Sequence, residues 1–524
     1  MGYWDEAPIP RDQIVLIATT LGDRIPDDHP VRLYQEILAG MDWSGWENHY
    51  CQVAGQPAIP PMIVGGAIIY GLSHGIRSSR RLEWACRNAV DFMWLVEGRQ
   101  IDHSTFCNFR TRFERELKDL FRQVGRLAMG LGLLRLNEVT FDGTRALANS
   151  SRHATATAKT LAEREAVLNQ LIEELFARIQ QQDGRENDLF GDRYSPNNLP
   201  PELVDLKKRQ AALRKAIAAA QAVDAKRQRR QDAPKKAAKV PVADPEAVLL
   251  PNKEGGHAPN YTPIMAVDGR HGLIAEADVL STTPEAQAVI PMVERIEDHL
   301  GAVPAQVLAD TAFATGQNLS DLRDRNIEAF MPVEAARLDQ ENPALRTDPT
   351  QPVAEADWPK LPRNPQSKKL DKAAFVYDAS QDCYYCPMGR RMGQVRVTRD
   401  HKQCGDSVYQ IYRCPDCSGC PLASVCLGKN ARSRTVARDQ HELVREELAA
   451  RMRLPGGRKI YARRAWIAET PHAVIKEVMG LRRFLLRGLN KVRIEWQWAC
   501  TAYNIRKLVK LIGVSRAQAV VCLE

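Results

Sequence analysis

The chain has 524 residues, 44% of them hydrophobic and 26% charged, and carries a net charge of +9. The length suits roughly two to four domains of ordinary globular composition, and the charge favours a polyanionic partner without identifying one. The longest apolar stretch, near Met62–Leu72, is far shorter than the roughly 20 residues of a membrane span. The first residues lack the basic-then-apolar order of a secretory signal, so a cytoplasmic location is expected.

Residues 1–135 read as helical. Pro60-Pro61 lead into an apolar run, and Arg77-Ser78-Ser79-Arg80-Arg81-Leu82-Glu83 opens a second helical face. Asp102 is the predicted N-cap of a helix running to Phe113. That helix carries Asn108, Arg110 and Arg112 after a turn, which suits the recognition helix of a helix-turn-helix, with Arg80 and Arg81 as further DNA contacts. The other reading is a helical bundle with a solvated basic face.

Residues 136–150 hold a short β-prone run, Asn137–Phe141, closing on Asp142-Gly143-Thr144. Residues 151–257 form an insertion of two long helices, broken near Arg193–Pro201 and expected to pair antiparallel. Its apolar positions include Leu161, Val167, Leu168, Leu171, Ile172 and Leu175. From Asp205 to Lys239 it has twelve Lys or Arg against three acids, a solvated face or a track for a phosphate backbone. Strands then resume over 258–335: a hairpin around Asp268–His271, a helix over Glu285–Leu300, a strand Ala305–Asp310, a helix Gln317–Arg325 and a strand Ile327–Val333. The order β-β-β-α-β-α-β is what an α/β core of the ribonuclease-H type requires, with Asp142 on its first strand and Asp310 ending its fourth. Residues 336–440 are a second insertion, rich first in Pro and Lys and then in Cys. Residues 441–524 are helical and basic and are expected to complete the core. There Glu469, His472 and Lys476 are spaced to share one helix face.

Cutting a phosphodiester needs a deprotonated nucleophile and a neutralised leaving oxygen, which two divalent ions supply together. Hard ions prefer carboxylate oxygens. Asp142, Asp310 and Glu469 are therefore the candidate catalytic and metal-holding acids for two Mg²⁺ ions, or Mn²⁺. Taken singly, each acid is more readily a cap, a turn residue or a surface charge.

Phe141-Asp142-Gly143-Thr144 with Ala148-Asn149, Ala309–Phe313, and the spaced Tyr461, Arg464, Glu469 and Lys476 resemble the DDE transposases of bacterial insertion sequences. Ser78–Glu83, Asp102–Thr105 and the tail Gly480–Gly488 with Trp496 and Asn504 share that resemblance. It implies binding of element ends, cleavage, and strand transfer into target DNA. It further implies Tyr461, Arg464 and Lys476 as contacts to the end, with Arg and Lys as phosphate partners, and a homodimer in the end-paired complex. It also makes Trp358 a candidate for stacking on a flipped base, beside a plain packing role.

Seven of the twelve cysteines fall between Cys383 and Cys426, a clustering that favours metal over disulfides. Cys386, Cys417, Cys420 and Cys426 best match the family-like pattern for one structural zinc, with Cys383 and Cys414 as alternates. Buried free thiols or a redox-sensitive cluster are the other readings. Cys51, Cys86, Cys107, Cys500 and Cys522 read as core residues, and Cys404 as uninvolved. The rivals to a transposase are a catalytically silent DNA-binding repressor and a metal-dependent nuclease that cuts without joining.

Overall fold

Helices fill the first part of the chain because the sequence supplies their start signals. α1 (Pro30–Ala39) and α3 (Pro61–Ser73) begin on a proline, whose missing N–H has no partner to lose in a first turn. α2 is the short turn Ser44–Glu47. Ser78 caps α4 (Ser79–Asn88), and α5 (Val90–Leu95) follows it directly. Asp102 caps α6 (His103–Arg112), its Oδ1 accepting the Ser104 N–H at 2.7 Å. α7 (Glu114–Gly130) presents an apolar stripe through Leu117, Leu120, Phe121 and Val124.

The computed structural model describes residues 20–50, 57–190, 201–228, 237–251, 256–282, 284–333, 342–402 and 405–521. The chain forms two compact units, one of Met1–Gly132, Arg145–Pro263 and Pro471–Glu524, the other of Leu133–Thr144 and Ile264–Thr470. Both helices and mixed sheets are present, as the α/β expectation requires. No described helix is long and apolar enough to cross a membrane.

In the first unit, α1, α3, α6 and α7 pack on the long helix Leu489–Val521. Trp46 stacks on Phe109 at 5.0 Å and meets Trp498 at 5.9 Å. Twelve of the thirteen residues of α3 are buried, more than contact with a single neighbour allows. The C-terminal helix packs on it as well and supplies further cover. Residues 441–524 were expected with the catalytic core; from Pro471 onward they fold with the N-terminal helices instead.

The helical insertion, α8 (Ala158–Phe190) and α9 (Pro201–Gln228), lies in this unit too. Its helices run antiparallel: Glu165 pairs with Arg214 at 2.6 Å and Asn169 with Gln210 at 2.6 Å. Leu161 packs against Ala216 and Ala220, and Leu168 and Ile172 against Leu203. Val167 and Leu171, expected on the same face, are exposed, because a seam one residue wide takes only every third or fourth position. Thr155–Thr157 pairs with Lys239–Pro241 to close the hairpin's base. The expected break at Arg193–Pro201 falls almost wholly outside the described residues, as do Cys51, Cys404, Cys522 and the chain start.

The second unit is built on the Asp142 strand, Glu138–Gly143. It pairs antiparallel with the second half of His257–Asp268 and parallel with Gln306–Leu308. Gln306–Leu308 in turn pairs parallel with Glu328–Phe330, and Ile274–Leu280 pairs with His257–Asp268. α10 (Val289–Leu300) and α11 (Gly316–Asp324) supply the two crossovers that parallel neighbours need. Residues 376–439 add an antiparallel five-stranded sheet around Tyr384, Met392 and Tyr412. Trp358 packs against that core and donates its Nε1–H to Val353 O at 3.0 Å, the packing role of the two considered for it.

Candidate functional site

Strand register delivers the two aspartates. Thr140 lies opposite Leu308 in the parallel pair, so two residues further on Asp142 and Asp310 leave adjacent strand ends side by side. Asp142 is the last but one residue of its strand. Asp310 stands two residues past its own strand and caps a 3₁₀ turn, its Oδ1 accepting the Ala312 N–H at 2.8 Å. The guanidinium of Arg464 joins them: Nη2 is 2.6 Å from Asp142 Oδ1 and 3.8 Å from Asp310 Oδ2. Arg464 Nε is buried without a hydrogen-bond partner.

This arrangement answers whether the pair suits a cation. Two carboxylates converge, and in this structure a positive side-chain group lies between them as an internal stand-in. Their oxygen donors are those a hard divalent ion takes.

Glu469 rides on the helix Arg464–Ala473. Ile467, Ala468, Pro471 and His472 form that helix's buried face, leaving Glu469 exposed. Among the described residues one set of three possible ligands lies mutually within 4.8 Å, namely Glu83, Asp102 and His103. The three acids are thus not drawn together at ligating distance here. The Glu83 set has an ordinary explanation: Glu83 accepts from the His103 N–H and ring at 3.2 and 2.9 Å and pairs with Arg87 at 2.7 Å.

The shared face expected of Glu469, His472 and Lys476 does not form. His472 is buried where Glu469 is exposed, and the chain widens into a π turn at Val474–Val478 that carries Lys476 out of α-helical phase. Tyr461 lies in the last turn of the preceding helix, Pro455–Ala462, and is half-buried.

Sequence reasoning missed one acid nearby, Glu285. A Cβ on Gly143 would collide with the carboxylate of Glu285, so glycine there lets a further acid approach the backbone beside Asp142. No local pattern in the sequence signals that contact.

The four N-terminal arginines divide. Arg80 and Arg81 are exposed in the first turn of α4, and Arg112 is exposed with its guanidinium 5.3 Å from the Phe113 ring centre. Arg110 points inward: Nη1 donates to Arg77 O, while Nε and Nη2 are buried. Burial lowers its affinity for the proton, although the Glu495 charge opposes this. It is not an exposed base-reading side chain as the recognition-helix expectation required.

The cysteines gather from two knuckles. Cys386-Pro387-Met388-Gly389 turns tightly, with Gly389 N–H on Cys386 O at 2.9 Å. Gly389 has φ +71°, and a Cβ there would strike the Thr350 carbonyl, so glycine is required. Cys417-Ser418-Gly419-Cys420 makes the second turn with Gly419 at φ +65°. Cys386, Cys414, Cys417, Cys420 and Cys426 line one small cavity, and Cys383 is not among them. Cys383 instead interacts with Tyr385 and Arg391. A hydrogen bond from Cys414 brings the Cys386 thiol down to about 6 against its burial, helped by the backbone N–H groups of Arg390 and Met388. Hydrogen bonding to Cys386 and burial push Cys414 up, and burial raises Cys426 to about 11. The described cysteines are free thiols; Cys86 and Cys500 are buried core residues, while Cys107 is exposed.

Two family models match the chain: a transposase DDE domain over residues 385–509 and a transposase domain (DUF772) over residues 19–112. Both matches are to transposase families, and together they support a DDE transposase of the bacterial insertion-sequence kind. No curated protein and no solved structure matches it. The first match spans the cysteine knuckles, Arg464 and Glu469, and the second spans α1 to α6. A transposase DDE domain implies a DNA substrate, polynucleotidyl-transferase-type chemistry and a general dependence on divalent metal, while Asp142 and Asp310 lie outside both matched ranges.

Proposed function

We propose that this transposase binds the ends of its insertion sequence, cleaves there, and transfers strands into target DNA. The observation that carries the reading is the convergence of Asp142 and Asp310 from adjacent strand ends onto one cationic group. In this account Asp142 and Asp310 hold Mg²⁺ or Mn²⁺ with Glu469, inside a core of the ribonuclease-H type. Two bound ions would stabilise the attacking and leaving oxygens of the displacement.

The chain's own residues perform the rest. Asp142 and Asp310 place negative charge at the strand tips. Arg464 swings from the carboxylates to a DNA phosphate, where its planar fork of donors fits. Glu469, exposed on its helix, moves by rotation of that helix toward the aspartates, and the π turn that follows it is the point of give. Tyr461 and Lys476 contact the element end, and Arg80, Arg81 and Arg112 contact duplex DNA. Cys386, Cys417, Cys420 and Cys426, with Cys414 as the alternate nearest to them, hold a structural zinc that fixes the knuckles.

Labelled DNA carrying the sequences that flank this reading frame, incubated with a supercoiled plasmid and Mg²⁺, tests the reading. Joined products are expected. Cuts without joining would indicate a nuclease, and a mobility shift alone a binding protein.

A further inference from the structure

The helical hairpin of the first unit takes no part in the chemistry above. Its helix α8 meets α9 through Leu161, Leu168 and Ile172. About a quarter-turn round the α8 axis from that seam runs a second row, Arg164, Val167, Leu171, Glu174 and Arg178, all exposed. None of the five belongs to the clusters that the hairpin buries. The steps along the row alternate three and four residues, the spacing that keeps a row on one face when two helices coil together.

Val167 is 58% exposed and Leu171 45%, so the middle of the row is apolar and its ends are charged. Among the described residues neither Arg164 nor Glu174 has an ion-pair partner, whereas the neighbouring Glu165 is held by Arg214 at 2.6 Å.

Reversed end for end, the row is its own complement. About a two-fold axis level with Asn169, Val167 comes opposite the partner's Leu171, and Arg164 comes opposite the partner's Glu174. Each pairing then occurs twice, as a two-fold interface requires. With the helices side by side in one direction, Arg164 would instead face the partner's Arg164, and Glu174 the partner's Glu174. Like charges would meet at both ends, so charge selects the antiparallel arrangement.

We propose that this row is a self-pairing surface, on which α8 of a second copy of the chain lies antiparallel. Five residues a side is a small part of the roughly 20–30 in a standard interface, so the contact alone is weak and reversible. It strengthens where two chains are held close together, because effective concentration then adds to affinity. The pairing needs neither metal nor DNA and so stands apart from the cleavage reading.

Sedimentation of the full chain without DNA, over a series of concentrations, tests the surface. A monomer–dimer equilibrium is expected. Arg164→Glu or Glu174→Arg should each weaken it at least about fivefold, since two attractive pairs become two repulsive ones. The double variant Arg164→Glu/Glu174→Arg should recover to within about twofold of the unaltered chain, the coupling expected of residues in contact. Within one chain the two positions lie about 15 Å apart along the helix, so that recovery cannot come from an intramolecular pair. Mild oxidation of Arg164→Cys chains mixed with Glu174→Cys chains should link unlike chains, measured above the background of the unaltered chain's own thiols. No self-association overturns the surface, as does association untouched by both single variants or lost without recovery in the double one. Links formed chiefly between two Arg164→Cys chains overturn the antiparallel arrangement. Cleavage and joining of element ends can survive every one of these failures, so the two readings fail separately.

Discussion

Arg464 sits between Asp142 and Asp310 because two carboxylates at neighbouring strand ends repel each other unless a cation lies between them. The same position makes it a competitor for metal. Arg464→Gln should tighten Mn²⁺ binding in the absence of DNA, read by calorimetry, while weakening binding of the element end. Unchanged Mn²⁺ affinity would show that the guanidinium does not compete for the site. Asp142→Asn, Asp310→Asn and Glu469→Gln should each lower strand cleavage at least about 100-fold, since changes one shell further from a metal already cost 10–100-fold. End binding should persist in all three variants, and normal cleavage by any of them would remove that residue from the assignment. Glu285→Gln distinguishes a working acid beside Asp142 from a packing one. A fall in cleavage with unchanged end binding and unchanged melting temperature places Glu285 in the site.

At the scale of elements, the cysteine knuckles make the sharpest prediction. Protein purified without added metal should carry about one zinc per chain. Cys386→Ser or Cys417→Ser should lose it, while Cys383→Ser keeps it because Cys383 faces Tyr385 and Arg391 instead. Zinc-free folded protein would end the proposal. A second element is the junction of strand Thr435–Asp439 with the helix Glu442–Arg453. There Arg445 grips Asp439 with both Nη groups, at 2.6 and 3.1 Å. Burial alone would raise the Asp439 carboxyl, but hydrogen bonds and charge from Arg445 outweigh it and hold it below its usual range. A depressed carboxylate stabilises the fold above its unfolded pKa of about 3.9 and loses that contribution as the pH falls below it. Asp439→Asn should therefore cost about 1.5–3 kcal/mol at neutral pH and flatten the acid limb of the unfolding profile.

Elements of this kind were legible where periodicity and caps are local. Asp102 as N-cap, the antiparallel α8–α9 pair and the strand–helix succession from Asp142 to Phe330 all stand in the order that the sequence pattern suggests. The cysteine spacing located the knuckles but could not tell Cys383 from Cys414, because strand pairing of Cys383 with Asp378 sets which way each thiol faces. Arg110 looked like a surface base reader since helical spacing does not reveal which face α3 and the C-terminal helix will cover. The π turn at Val474–Val478 shifted Lys476 out of register, and no propensity rule marks it in advance.

At the scale of the whole molecule, the proposed function puts end recognition and strand chemistry in one chain, and cutting both ends of an element together would call for two copies. Light scattering should show a dimer or larger species once element ends are added, and one chain on each end throughout would contradict paired-end action. Beneath this lies the claim that three acids distant in sequence serve one metal pocket. Replacing Mg²⁺ with Fe²⁺ and adding ascorbate and peroxide to the end-bound protein cuts the backbone beside whichever residues hold the ion. The account predicts fragments ending near Asp142, Asp310 and Glu469, all suppressed by excess Mg²⁺. Cuts near the two aspartates with none near Glu469 would contradict it.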